Sequence, residues 1–217
     1  MSDGTPGWKP LLELRPPKGC TLHTGLLTTY DRADERLLAE HLLPKLLGID
    51  RDPAGEGAER ECFVVELNDK LKHLHDAIAV VSSVAHDEPV DIDTPDAPTY
   101  PWLWRSVRRL TVGRRDHAIQ HAKLWLLHWC GRDSDEWLDV VISSANLTMA
   151  AAKGQVQAVW KTRLKLHPRE AKSRLSDWGL LAPFIRELLR SCGDEARAQV
   201  YEQLLSRADC PEGVHFV

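Results

Sequence analysis

The sequence has no long hydrophobic run and no excess of basic residues. No stretch approaches 18 uninterrupted apolar residues, and the opening segment MSDGTPGWKP lacks the apolar core of a signal peptide. We therefore expect a cytoplasmic protein with no membrane partner. The net charge is −4, which excludes a global positive field. Any binding of nucleic acid must then depend on a local basic cluster.

Cysteine pairs and metal-binding motifs are also lacking. Five cysteines are scattered without a C-x-x-C pair, at Cys20, Cys62, Cys130, Cys192 and Cys210. Such a dispersed, odd set is typical of reduced thiols in an intracellular protein. His117 and His121 have the spacing of helical zinc ligands, but their segment has strand character and Ala118 replaces the metalloprotease glutamate. KHLHD at 72–76 is interpreted as a hydrated turn, and we expect neither a metal nor a cofactor.

Strand-like and helix-like segments alternate along the 217 residues. A strand at 20–31 ends at Asp31, a predicted helix N-cap, and leucine spacing predicts a helix over 32–47 that Pro44 kinks or ends. Further strands are predicted at 62–67, 77–85, 106–113, 120–129, 137–145 and 154–166, with a long loop at 86–101. Helices are predicted at 182–192 and 194–208, and 213–217 resembles the opening of one more buried strand. The pattern predicts an α/β fold, a mixed β-sheet flanked by helices.

Four polar side chains are expected to meet on three of these strands. His121 and Lys123 would share one face of a strand, roughly 7 Å apart. The next strand delivers Asn146 just beyond its end, and the third carries Gln157. If the strands are neighbours, a nucleophile, a fixed cation and two amides converge, which suits a phosphodiester without a metal. For His121 alone, a hydrogen-bonded core histidine is the alternative.

The segment HAKLWLL…VVISSANLTMAAAKGQVQAVW resembles the first catalytic motif of the phospholipase D superfamily. His128 stands where the common H-x-K-x4-D pattern has its aspartate, and SSAN replaces G-S-x-N. The absent aspartate, Asn146 and the glutamine eleven residues later are similar to the tyrosyl-DNA phosphodiesterase version of the motif. LLTTYDRADERLL also resembles that family's first strand and helix. The resemblance implies one α-β-α sandwich half-domain over residues 1–217.

The same resemblance implies a role for each motif residue. His121 would form a covalent phosphohistidine, Lys123 and Asn146 would bind the phosphate oxygens, and Gln157 would support them. The family uses two such motifs, whereas this sequence has a single H-x-K, because HPR at 167–169 precedes a helical region. We therefore expect either a second half beyond Val217 or a pair of identical copies around a two-fold axis.

A basic and aromatic cluster precedes the motif. It comprises Trp102, Trp104, Arg105, Arg108, Arg109, Arg114 and Arg115. These residues suit a groove for single-stranded nucleic acid, in which cations follow the backbone and rings stack on bases. The alternative is a solvated strand face with core tryptophans.

Three functions remain open from the sequence. The first is a metal-independent phosphodiesterase acting on nucleic acid, with adducts at single-stranded or terminal DNA as candidate substrates. The second is a half-site module that binds nucleic acid or phosphate without turnover. The third is a homodimeric nuclease of the phospholipase D type. Lipid hydrolysis is disfavoured because the sequence has no membrane-seeking amphipathic segment.

Overall fold

A computed structural model of the chain describes residues 14–83, 100–112, 120–132, 134–154, 157–168 and 174–216. Within these residues, the strands are β1 (Cys20–Thr29), β2 (Ile78–Ser82), β3 (Val107–Thr111), β4 (Leu124–Gly131), β5 (Glu136–Ser143) and β6 (Val159–Lys165). The α-helices are α1 (Leu43–Leu47), α2 (Ala58–His73), α3 (Met149–Gly154), α4 (Leu181–Ser191) and α5 (Glu195–Ser206). A π-helical segment covers Leu37–Leu42, and 3-10 turns cover Pro101–Arg105 and Leu175–Trp178.

The six strands form one mixed sheet in the order β3-β2-β1-β4-β5-β6. Strands β1, β2 and β3 are parallel, whereas β4, β5 and β6 each run antiparallel to the strand before them in this order. The carboxyl ends of β1, β2, β3 and β5 therefore lie at the same end of the sheet as the amino ends of β4 and β6. The candidate site lies at this end of the sheet.

Helices cover both faces of the sheet. Successive side chains of a strand point to opposite faces, so Trp125 and Trp129 of β4 pack with Phe63 of α2, while Leu126 packs with Tyr201 of α5. The first core also contains the π-helical segment and α1, and the second contains α4. The predicted α/β fold with a mixed sheet flanked by helices is confirmed.

The strand predicted at 62–67 is wrong, because this segment lies inside α2. The buried side chains of α2 are Phe63, Leu67 and Leu71, which recur every four residues on one face of the helix. The apolar run CFVVEL is too short to distinguish a buried strand from a helix. The glycine at the N-terminal boundary and the lysines beyond the run are compatible with either.

The helix after β1 begins later than predicted and Asp31 does not cap it. Asp34 Oδ1 instead accepts hydrogen bonds from the backbone N–H groups of Arg36 (2.9 Å) and Leu37 (3.1 Å). Pro44 lies in the first turn of α1, directly after the π-helical segment, where a missing N–H costs little. Pro44 therefore marks a change of helix type, and the helical path continues to Leu47.

The strand predicted at 213–217 is wrong over its described part, because residues 213–216 form no strand there. Phe216 packs its ring 5.8 Å from that of Trp178, and its carbonyl oxygen accepts a hydrogen bond from Leu180 N (3.0 Å). Gly179 allows this approach, since it has a φ of +51° and an added Cβ would lie 2.6 Å from Phe216 O. The segment crosses the turn before α4 instead of joining the sheet.

The remaining predicted strands and both C-terminal helices are confirmed with shorter or shifted bounds. The predicted loop at 86–101 lies outside the described residues up to position 99, and so does position 117. Among the helices of the described ranges, none has the length and apolarity needed to cross a lipid bilayer.

Candidate functional site

The four predicted site residues lie at the end of the sheet that contains the carboxyl ends of β1 and β5 and the amino ends of β4 and β6. His121 and Lys123 precede β4, Asn146 follows β5, and Gln157 precedes β6. Because β4, β5 and β6 are neighbours, the three segments emerge side by side. The prediction that His121, Lys123 and Gln157 lie within strands is wrong, since all three lie in the segments that lead into strands.

The side chains of His121 and Lys123 are in contact. Lys123 Nζ lies 3.0 Å from His121 Nδ1 and 3.3 Å from Nε2. The backbone between them is held by Thr28, whose Oγ1 donates to Ala122 O and accepts from Leu124 N, both at 2.7 Å. This hydroxyl replaces ladder hydrogen bonds just before β4 begins. The long side chain of Lys123 therefore reaches the imidazole of the residue two positions before it.

Lys123 is a buried cation whereas its partner His121 is exposed. Lys123 is 7% exposed, and burial lowers the pKa of its ammonium group, an effect that the negative charge of Asp31 opposes. A lysine ammonium can only donate hydrogen bonds, so the ring nitrogen that receives its N–H is unprotonated. Tyr30 packs against the imidazole with ring centroids 5.0 Å apart. The arrangement presents a neutral ring nitrogen and a cation side by side.

Asn146 is held in the turn that follows β1. Its Nδ2 donates to Asp31 Oδ2 at 2.6 Å, and its Oδ1 accepts from the backbone N–H of Tyr30 at 3.3 Å. The neighbouring Leu147 N donates to Thr29 Oγ1 at 3.0 Å. Asn146 therefore joins the carboxyl ends of β1 and β5 and contacts the residue that packs on His121. Asp31 and Tyr30 were not among the predicted site residues.

Gln157 contacts the site through a serine. Ser144 Oγ donates to Gln157 Oε1 at 2.6 Å and accepts from Ala158 N at 3.0 Å. Ser144 in turn lines the same cavity as His121 and Lys123. Gln157 therefore contacts Ser144 but does not itself line that cavity.

The cavity beside the histidine has a volume of about 620 Å³. Its polar lining residues are His121, Lys123, Ser143 and Ser144, and the rest of its lining is apolar. The apolar wall is formed by Ala122, Leu124, Ile142, Leu180, Leu181, Phe184 and Phe216. No sequence motif indicates this wall, because its larger residues come mainly from α4 and the C-terminal segment. The cavity can place an apolar or aromatic group next to an anion held by Lys123.

The three described arginines of the predicted nucleic-acid cluster do not line one surface. Arg108 and Arg109 are consecutive in β3 and point to opposite faces of the sheet. Arg108 pairs with Asp76 (3.8 Å) and Asp194 (3.5 Å), whereas the Arg109 guanidinium lies 4.6 Å from the ring centroid of Trp104. Strand β3 is also three strands from β4, about 14 Å away. Positions 114 and 115 lie outside the described residues.

The two predicted stacking tryptophans are partly buried against the core. Trp104 Nε1 donates to Glu35 Oε1 at 2.5 Å, so its ring is fixed by a carboxylate. Trp102 and Arg105 line a separate cavity of about 540 Å³, together with Lys72 and His75. This second cavity lies near the amino end of β2, at the end of the sheet opposite to His121.

Comparison with known proteins gives a likeness of structure only. No protein-family model matches the chain, and no curated protein matches it in sequence. A mutant of yeast tyrosyl-DNA phosphodiesterase 1 is similar in structure, with a TM-score of 0.50 and 14% identity over 92% of this chain and 37% of that chain. A structure of yeast tyrosyl-DNA phosphodiesterase has a TM-score of 0.48 and 13% identity over 92% of this chain and 38% of that chain. The chain spans less than two fifths of the length of these proteins, and the first likeness shows a shared fold.

Proposed function

We propose that this chain is a phosphodiesterase of the phospholipase D type that acts on nucleic acid through a phosphohistidine intermediate. The contact between His121 and Lys123 at the wall of the 620 Å³ cavity carries this proposal. A ring nitrogen and a cation in contact are the two groups that attack on a phosphodiester requires. The reaction needs no metal for this purpose, because the lysine supplies the positive charge.

The reaction proceeds in two displacements. A ring nitrogen of His121 attacks phosphorus, the N–P bond forms, and the P–O bond to the leaving group breaks while a general acid protonates that oxygen. Water then gives a proton to the conjugate base of the general acid and attacks phosphorus, and the N–P bond breaks, which releases the phosphate and restores the imidazole. Lys123 stabilises the charge on the non-bridging oxygens in both steps, and its burial strengthens that interaction.

The two amide residues act at different distances from the phosphate. Asn146 holds the turn that contains Asp31 and Tyr30, and we propose that its amide shares phosphate binding with Lys123. Gln157 orients Ser144, whose hydroxyl lines the cavity. The residues with a catalytic role are therefore His121 and Lys123, with Asn146 and Gln157 in support.

The general acid comes from outside this half-site. The sequence contains one H-x-K, and the chain spans 37% of the yeast protein with which it shares a fold. We propose that residues 1–217 form a single phospholipase D-like domain and that a second half, or a second copy, brings the proton donor. DNA ends are the proposed substrates, and the apolar cavity wall suits an adduct with an apolar or aromatic leaving group at a 3′ end.

The test is cleavage of a single-stranded oligonucleotide with a 3′-phosphotyrosine, in excess EDTA and with folding verified by circular dichroism. Size-fractionated protein is compared with His121→Ala and Lys123→Met, and His73→Ala serves as the control because its side chain is 79% exposed on α2. Turnover that survives EDTA, disappears in the two site variants and persists in the control supports the mechanism. Turnover that persists in His121→Ala contradicts it.

A homodimeric nuclease is the second candidate, favoured by the apolar side chains around the cavity. Leu180 is 59% exposed, Phe184 38% and Ile142 37%, all beside His121. A two-fold axis at this surface would bring two histidines together. Turnover confined to the dimer fraction supports this candidate. Salt-sensitive binding of the oligonucleotide that is unchanged in His121→Ala, without turnover, indicates instead a half-site binding module.

A further inference from the structure

A second cluster of reactive side chains lies at the other end of β4. His128 and Cys130 are two residues apart and share a face of the strand, and Glu136 of β5 is paired in register with Cys130. His128 Nε2 lies 3.0 Å from Glu136 Oε2 and 3.5 Å from Cys130 Sγ. The three ligand atoms all lie within 4.8 Å of one another.

These separations match the spacing of ligands around one zinc ion. Zinc binds imidazole nitrogen and carboxylate oxygen at about 2.0 to 2.2 Å and thiolate sulfur at about 2.3 Å, in tetrahedral geometry. Ligand atoms on a tetrahedron of those bond lengths lie about 3.3 to 3.6 Å apart. The distances from His128 Nε2 to Glu136 Oε2 and to Cys130 Sγ, 3.0 and 3.5 Å, are close to this range. One ion can therefore occupy the space between the three atoms with small side-chain adjustments.

We propose that His128, Cys130 and Glu136 bind a zinc ion, with water in the fourth position. On binding, the thiol of Cys130 releases its proton to solvent, and the imidazole keeps its single proton on Nδ1 while Nε2 binds the metal. The thiolate and the carboxylate together neutralise the two charges of the ion. Nitrogen, sulfur and oxygen ligands in one site favour zinc over magnesium or calcium.

The neighbouring side chains hold the three proposed ligands in place. His128 is 6% exposed, and its Nε2 is in contact with both Glu136 Oε2 and Cys130 Sγ. Arg207 Nη1 donates to Glu136 Oε2 at 2.9 Å, and its Nε donates to His167 O at 2.8 Å. A hydrogen bond of this kind orients a ligand carboxylate. The ring of His23 lies edge-on to His128, with centroids 5.2 Å apart.

The position of this cluster indicates a structural role. Seven residues of extended chain separate His128 from His121, which corresponds to about 23 Å. A zinc ion here would join the ends of β4 and β5 and, through Arg207, the segment that follows α5. It would stabilise the sheet far from the phosphodiesterase site and take no part in its chemistry.

The test is metal binding by the purified chain. Zinc is added to metal-free protein by equilibrium dialysis, and cobalt(II) is substituted for zinc to record its absorption spectrum. We expect about one ion per chain, tetrahedral cobalt bands with one thiolate charge-transfer band, and a rise in Tm on adding zinc. Absence of the charge-transfer band, or binding well below one ion per chain, in the unmodified protein overturns the proposal.

Two cysteine variants locate the ion. Cys130→Ser removes the thiolate and should abolish the charge-transfer band and the zinc-dependent rise in Tm. Cys62→Ser is the matched control, because Cys62 is exposed on α2, and it should retain both. A band that survives in Cys130→Ser, or disappears in Cys62→Ser, overturns the assignment. If Cys130→Ser fails to fold, Glu136→Gln replaces it, since glutamine keeps an acceptor for Arg207 but removes the ligand charge.

Discussion

Asn146 Nδ2 lies 2.6 Å from Asp31 Oδ2, although 115 residues separate the two in sequence. The pair joins the turn after β1 to the turn after β5, and the charge of Asp31 opposes the lowering of the pKa of Lys123 by burial. An acidic side chain in a site proposed for an anionic substrate is explained by these two effects. It orients an amide and favours the charged form of a buried lysine.

Asp31→Asn should lower the pKa of Lys123 further. Asparagine keeps an oxygen that accepts the bond from Asn146 but removes the charge that opposes burial. The pKa of Lys123 is already lower in the folded protein than in the unfolded chain. Between these two pKa values the unfolded chain binds more protons, so the contribution of Lys123 to stability rises with pH. Asp31→Asn extends this range to lower pH. A carbon-13 NMR titration of the lysine side chains, assigned with Lys123→Arg, measures the shift.

If the proposed function is correct, the alkaline limb of kcat/KM moves to lower pH in the same variant, because the cation is lost earlier. Asp34→Asn is the control, since Asp34 caps the following helix and is not among the charges that act on Lys123. A Lys123 pKa that stays constant or rises in Asp31→Asn contradicts the assigned interaction.

Asp139→Ala should destabilise the protein by about 3 kcal/mol. Asp139 is 2% exposed and accepts two bonds from Arg163, both at 2.7 Å, and one from Trp129 Nε1 at 3.0 Å. The substitution leaves a buried indole N–H without an acceptor and a half-buried cation without its partner. Urea unfolding measures the change in midpoint.

Asp135→Ala is the matched control for this prediction. Asp135 pairs with Lys165 at 2.9 Å, but the two side chains are 50% and 63% exposed. An exposed pair contributes little, so the change should stay within about 0.5 kcal/mol. Equal losses in Asp135→Ala and Asp139→Ala would refute the importance of burial.

Tyr100→Phe should cost about 1 to 3 kcal/mol at neutral pH, and less in acid. Burial alone would raise the pKa of Glu40, but hydrogen bonds from Arg36 and Tyr100, with the charges of Arg36 and Arg60, hold it below its usual value. The resulting stability is present above the unfolded pKa and is lost as pH falls through the folded pKa. Without the Tyr100 hydroxyl, the pKa of Glu40 in the folded protein rises. The difference in unfolding free energy between Tyr100→Phe and the unmodified protein therefore decreases below about pH 4.5.

Tyr201→Phe tests whether the pH dependence expected for Tyr100→Phe is due to the carboxylate of Glu40. Burial raises the pKa of Tyr201, whose hydroxyl lies 3.3 Å from Thr24 Oγ1, a group that does not titrate. Its cost should therefore be constant with pH. Urea unfolding at a series of pH values distinguishes the two variants, and parallel curves for both would contradict the role of Glu40.

Gly179→Ala should cost more than Gly193→Ala. Both glycines have positive φ, +51° and +75°, which costs an alanine about 1 to 2 kcal/mol. At Gly179 the new Cβ would also lie 2.6 Å from Phe216 O, whereas nothing lies within 4 Å at Gly193. The difference in unfolding free energy between the two variants measures the contact of Phe216 with the turn. Equal costs would show that this contact contributes nothing.

The part of the site that sequence could predict is the part that lies at the ends of consecutive strands. Apolar runs of β-branched and leucine residues predict β4, β5 and β6, and consecutive antiparallel strands usually pair. That rule alone brings the segments of His121, Lys123, Asn146 and Gln157 to neighbouring positions. The contact between His121 and Lys123 follows from local spacing.

The remaining features depend on contacts that no local pattern contains. Asp31 meets Asn146 only because β1 pairs with β4 at the centre of the sheet, and the apolar wall of the cavity is formed by Phe184 and Phe216 from distant segments. The apolar run at 62–67 is compatible with the periodicity of a strand and with that of a helix. Only its packing against the sheet shows that it is a helix. Arg108 and Arg109 do not share a surface, because adjacent residues in a strand point in opposite directions.

The pairing of β1 with β4 also affects the order in which the chain can fold. Cys20 is in register with Gly131, and Leu27 with Trp125, so the central pair of strands encloses about a hundred intervening residues. During synthesis β1 must wait, paired at most with β2, until the ribosome has released β4. Closing so large a loop is slow, and until then one edge of β1 is open to other chains. We therefore expect chaperones to bind this protein most strongly while its first hundred residues have emerged and β4 has not.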